Sequence, residues 1–280
     1  MKRSAILILT ICLLGSMDIQ AQTVLDGAYI KEHTRTKKVV PYPSVREADV
    51  MWAKRIWQVI DLREKINLPL YYPLKDLSDR KNLFDVIRYG LEDGSITAYS
   101  TGPLGSDDEF KQPLFKDEID AMMSTIDTTY TTDLVTGELV EVIQQIDIES
   151  SDVKRYKLKE DWYFDRQRSE RYVRIIGIAP MIEVRGEDGE FRGYRDLFWL
   201  YFPECRYVFA NWDIFNRSND AERRSYEDYF WKRQFNSYVV KESNVYDRNI
   251  AEYTSGIDHL LESERIKKEI FEFEHDLWDF

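Results

Sequence analysis

The chain has 280 residues, 43% of them hydrophobic and 32% charged, with a formal net charge of −12. That acidity disfavours nucleic acid and anionic membrane surfaces, both of which are bound through a clustered basic excess. Of the two cysteines one, Cys12, lies in an apolar leader, so the processed chain has no internal disulfide and must rely on a hydrophobic core.

Lys2 and Arg3 precede a short apolar run, Ala5 to Leu14, and a small residue, Ala21, stands before Gln22. This is the pattern of a signal peptide, residues 1–21, cleaved at Ala21. The run is too short for a bilayer span, which needs about 20 apolar residues. The bulky Ile11 before Cys12 does not suit a lipobox. The expectation is an exported, non-lipidated protein with no direct membrane insertion.

Residues 22–44 lack a sustained period and carry Lys31, Arg35, Lys37 and Lys38, then Val39, Val40 and Tyr42 between prolines. They read as an extended arm. The next stretch, "READVMWAKRIWQVIDLREKINLPLYYP" (46–73), has Ser44 and Glu47 in capping-box spacing. Val45, Ala48, Trp52, Ile56, Val59 and Ile66 fall within about 40° of Trp52 on a helical wheel, which predicts a helix with a core face. Trp57 projects about 140° away, beside Val50, and marks a second, narrow stripe suited to a partner.

A second helix is predicted over 79–92, a long loop over 99–113, and a short helix near 116–126. Alternating apolar residues in "ELVEVIQQIDIE" predict a strand. "YVRIIGIAPMIEVR" and "YRDLFWLYF" read as strands around the turn "GEDGEFRG", and "CRYVFANWDIF" as a further strand. Residues 219–240 read as an amphipathic helix. The last helix, about 255–279, has two apolar faces: Ile257, Leu260, Leu261, Phe271 and Trp278 on one, and Ile266, Ile270, Phe273, Leu277 and Phe280 on the other. The 4-3-4-3 spacing of the second resembles a seam.

Residues that could carry chemistry are few. His259 and Glu262 stand at i, i+3 without a second such pair, and HExxH is absent. Cys205 lies among aromatics and reads as a buried thiol rather than a nucleophile. "GSDDE" (105–109) lacks the ligand ladder of a calcium loop. No catalytic residue, metal ligand or cofactor is assigned.

Three segments carry a resemblance. "VLDGAYIKEHTRTKKVVPYPSVREADVMWAKRIWQVIDLREKINLPLYYP" (24–73), "LFDVIRYGLEDGSITAY" (83–99) and "DLFWLYFPECRYVFANWDIFN" (196–216) closely resemble the GldN/PorN family of gliding-motility and type IX secretion proteins of Bacteroidetes. The resemblance implies a non-enzymatic periplasmic component, peripherally associated with the outer membrane through a GldK/PorK-type lipoprotein partner in large rings. It also implies a link to the periplasmic part of the inner-membrane motor protein GldM/PorM. A peptidoglycan- or carbohydrate-binding or processing protein is the alternative from another class.

The expected fold is α+β, with N-terminal helices, a central antiparallel sheet and C-terminal helices. The globular region 45–280 reads as one domain or two, split near 100–135. Expected interface residues are Lys31, Arg35, Lys37, Lys38, Val39, Val40 and Tyr42 of the arm, Val50 and Trp57, and Ile266, Ile270, Phe273 and Leu277 of the last helix. The basic arm and the acidic last helix suggest that the arm docks on a neighbouring subunit or on the lipoprotein partner.

Overall fold

A computed structural model describes residues 37–75, 77, 80–103, 105, 107–132, 139–186, 189–219 and 221–276. All of them belong to one compact unit, Thr34–Phe280. The fold is α+β, with a seven-stranded sheet at its centre and helices towards both ends. The sheet contains β1 (Val50–Asp61), β2 (Ala98–Tyr99), β5 (Val153–Asp165), β6 (Glu170–Arg185), β7 (Phe191–Asp196), β8 (Trp199–Tyr201) and β9 (Tyr238–Glu242). Its order is β2-β8-β6-β5-β1-β9, with β7 also on β6, and every pairing is antiparallel. β3 (Ser124–Thr132) and β4 (Leu139–Asp147) form a separate hairpin. The helices are α1 (Leu68–Tyr71), α2 (Leu83–Glu92), α3 (Lys116–Met122), α4 (Phe202–Phe209), α5 (Tyr226–Trp231) and α6 (Asp258–Asp276).

The segment expected to form the first helix is instead β1. Between residues 45 and 66 only Glu47–Asp49 is helical, as a single 3-10 turn whose cap, Arg46, makes no side-chain hydrogen bond. β1 runs between β5 and β9, and Ile56 through Asp61 are all buried. With both faces covered, the polar–apolar alternation of a half-exposed strand is lost, and the apolar positions mimic a helical period. Valine, isoleucine and tryptophan fit a pleated surface better than a helix.

Two further expectations are corrected. "CRYVFANWDIF" begins inside α4, where Phe202, Cys205 and Phe209 face inward at helical spacing and Pro203 occupies the first turn. Only Tyr226–Trp231 of 219–240 is helical; it is capped by Ser225, whose Oγ accepts from the Asp228 amide, and Arg233 then turns to φ 50° before β9. The helices expected near 79–92, 116–126 and 255–279, the strand at 139–147 and the β6–β7 hairpin all form. Glu187 and Asp188 of the hairpin turn lie outside the described residues.

One sheet face carries the main core. Ile60, Tyr156, Leu158, Ile178 and Leu200 pack there with Phe84 and Ile87 of α2, Phe202 and Phe209 of α4, and Phe230 of α5. α2 is set by its sequence: the side chain of Asn82 accepts from the Asp85 amide at 2.8 Å, and Leu83, Phe84, Val86 and Ile87 fill the inner face. At Gly90 a Cβ would sit 2.5 Å from Ile96 Cδ1, so glycine is what lets α2 approach this closely. β9 is an edge strand, and α6 covers that edge. The Val239 amide donates to Ser263 Oγ at 2.7 Å, and Lys267 Nζ donates to the Ser237 carbonyl at 2.7 Å.

Candidate functional site

The second sheet face holds Trp57, Lys159, Gly177, Trp199 and Tyr99; the register pairs Trp57 with Lys159, Lys159 with Gly177, Gly177 with Tyr201, and Trp199 with Tyr99. The segment between β2 and α3 folds over it. Phe110, held at φ 56°, makes edge contacts with Tyr99, Trp199 and Tyr201 at 5.5–6.0 Å. At Gly177 a Cβ would lie 2.5 Å from Phe110 Cζ, so the sheet is notched to receive that ring. Asp108 accepts from Trp57 Nε1 and pairs with Lys159 Nζ at 3.2 Å. The ammonium groups of Lys241 and Lys159 stand 4.6 and 5.7 Å from the Trp57 ring. Trp57 is 6% exposed. It is therefore not an open anchor for a partner: its own chain covers it. The acids of "GSDDE" are engaged too, Asp107 with the Glu109 amide and Asp108 as above.

The arm supplies a second feature. From Lys37 onward it lies against its own globule. Lys37 Nζ is bonded to the Asp228 carboxylate and lies 3.3 Å from Ser225 Oγ. Arg206 donates to the Val40 carbonyl at 2.7 Å, and Arg174 donates to the Pro43 carbonyl at 3.0 Å. Tyr42 stacks on Trp231 at 5.7 Å, with the guanidinium groups of Arg206 and Arg174 at 4.0 and 4.7 Å from its ring. Burial pushes the Tyr42 hydroxyl up, against the lowering pull of both arginines. Arg206 donates from two nitrogens, Nη2 at 2.7 Å and Nε at 3.2 Å, to the single buried oxygen Glu227 Oε1. Burial would raise the carboxyl of Asp228, but Lys37 and Ser225 together hold it below the usual range.

Among the described residues, Lys37 of the arm meets α5, while four acids of α6 are matched by cations of the same helix: Glu262 and Glu269 with Arg265, Glu264 with Lys267, and Glu272 with Lys268. Lys38 and Val40 are exposed, and Val39 and Val50 are half-buried. Lys31, Arg35 and Leu277 lie outside the described residues.

On α6 the two apolar faces sort opposite to expectation. Ile266 and Ile270 are buried against Ile56, Val239 and Ile250, and Phe273 stacks on Trp52 at 4.7 Å. Ile257, Leu260, Leu261 and Phe271, on the other face, are 56–74% exposed. The seam-like face is internal; the open one is the face that lacks the seam spacing. Sequence reasoning missed it because apolar spacing does not say which side meets the sheet.

Cys205 is fully buried, donates to the Tyr201 carbonyl, and has its thiol pushed far up by burial. His259 Nε2 is 2.6 Å from the Thr254 carbonyl. Among the described residues no three His, Cys, Asp or Glu side chains stand together as a metal site, and no helix is long and apolar enough to cross a membrane.

No curated protein matches this chain. A family model described as the gliding motility associated protein GldN matches residues 45–279, from the turn before β1 through α6. The chain belongs to the GldN family, and with it to the machinery of gliding motility and type IX secretion.

Proposed function

We propose that this protein is a non-enzymatic scaffold of the type IX secretion machine that works through protein contacts in the periplasm. In this reading it self-associates in a ring, binds a GldK/PorK-type outer-membrane lipoprotein, and couples that ring to the periplasmic part of a GldM/PorM-type motor protein. The observation that carries the reading is the family match over residues 45–279. The open face of α6 supports it, since Ile257, Leu260, Leu261 and Phe271 offer apolar area of the kind a partner covers. The signal-peptide pattern supports the compartment.

The test is co-purification from envelopes. The lipoprotein should be retained with a tagged copy of this chain through size exclusion, and the complex should be far larger than a one-to-one pair. Retention of the chain alone on isolated peptidoglycan, with no lipoprotein complex, would overturn the reading in favour of a cell-wall-binding protein.

A further inference from the structure

We propose that the open face of α6 pairs with the same face of a second copy of this chain, the two helices running antiparallel about a twofold axis. The face forms a seam once its charged residues are counted with its apolar ones. Ile257, at the N-terminal end of the helix, is followed by Leu261, Glu264, Lys268, Phe271 and His275 at 4-3-4-3-4 spacing. These are the a and d positions of a heptad pattern. All of them are exposed. On a helical wheel they stand opposite Ile266 and Ile270, which meet the sheet.

The order of residues along the seam selects both the occupant and its direction. Apolar groups stand towards the two ends, with one acid and one base between them. Turned antiparallel about residue 266, a second α6 sets Leu261 against the partner's Phe271 and Glu264 against the partner's Lys268. The twofold axis repeats both contacts, and each layer joins an a position to a d position. A parallel pair would instead set Glu264 on the partner's Glu264 and Lys268 on the partner's Lys268, like charges at the centre of the seam. A seam whose charges match its own reverse fits a second copy of the chain.

In the single copy Glu264 pairs with Lys267 at 3.0 Å and Lys268 with Glu272 at 3.3 Å. Exposed pairs of this kind are weak enough to exchange. Arg265 and Lys267 flank the seam on either side. Arg265 is already balanced by Glu262 and Glu269, and Lys267 also donates to the Ser237 carbonyl. As both copies are acidic overall, the apolar layers hold the pair and the central charges set its direction, at some cost in affinity. A twofold contact closes on two copies, so it goes beyond the ring contact of the scaffold reading and does not rest on it.

The experiment measures mass against concentration by light scattering on the processed chain, residues 22–280. A monomer–dimer equilibrium in the micromolar range is expected. Glu264→Lys and Lys268→Glu each bring like charges together and should weaken the dimer about tenfold or more. Mixing the two variants puts opposite charges back in both central layers and should recover the dimer. Oxidation reads the direction: chains carrying Leu261→Cys and Phe271→Cys should crosslink to each other and neither to itself. In an antiparallel pair two copies of either residue stand about 15 Å apart along the axis. Cys205 is buried and does not compete. The substituted positions are exposed, and thermal melting confirms that each variant folds. A monomer at every concentration, a dimer that survives both charge reversals, or a Leu261→Cys chain that crosslinks to itself would overturn the proposal. Should a charge-reversed variant unfold, the cysteine pair decides. Lipoprotein co-purification is scored separately, so failure of the pair leaves the scaffold reading standing.

Discussion

The indole N–H of Trp57, at the centre of β1, donates to the carboxylate of Asp108, in the segment that crosses the sheet between β2 and α3. The same carboxylate pairs with Lys159 on the neighbouring strand. One acid thus ties a crossing segment to two central strands and closes the second face of the sheet over a tryptophan.

Trp57→Ala should therefore destabilise the monomer by about 3–5 kcal/mol, the range for removing a large buried aromatic. Urea unfolding followed by circular dichroism checks this. A loss below about 1 kcal/mol together with weakened lipoprotein binding would instead make Trp57 a partner anchor. Asp108→Ala, which leaves both the indole N–H and Lys159 without their acceptor, should cost about 1–3 kcal/mol.

The two faces of α6 should respond oppositely. Ile270→Ala, at a buried site, should cost about 2–4 kcal/mol of stability. Leu261→Asp, on the open face, should change stability by about 0.5 kcal/mol or less, as surface changes usually do. It should nevertheless reduce retention of a partner complex. Equal melting temperatures for the two variants would contradict the burial pattern.

Arm docking should weaken in acid. Asp228 has a folded-state value below its unfolded one. Its contribution is thus present in full above the unfolded value of about 3.9 and is lost as pH falls through the depressed folded value. Release of Tyr42 from Trp231 should appear as a change in Trp231 emission below about pH 4. Lys37→Ala should remove most of that pH dependence while costing no more than about 1 kcal/mol, because the pair is partly exposed.

Cys205 should be inert in the native state. Burial raises its thiol and leaves it no solvent path. A water-soluble thiol reagent should modify it only after denaturation, on the timescale of unfolding. Rapid reaction with the folded chain would contradict its placement.

The amino-acid sequence by itself determined the α+β class, the presence of α2 and α3, the β6–β7 hairpin and the family, because each rests on local pattern or on residue identity. It also separated Trp52 from Trp57. Five residues apart, they fall on different sides of a helix and on opposite faces of a strand, so the separation survives the change of element. Only the tertiary structure decided that residues 50–61 form a strand, since the choice depends on β5 and β9 lying on either side. It also decided which face of α6 turns inward, because both faces are apolar and only one meets Ile56 and Val239. The cover over Trp57 and the seat of Tyr42 on Trp231 join residues far apart in the chain, and no local period encodes such contacts.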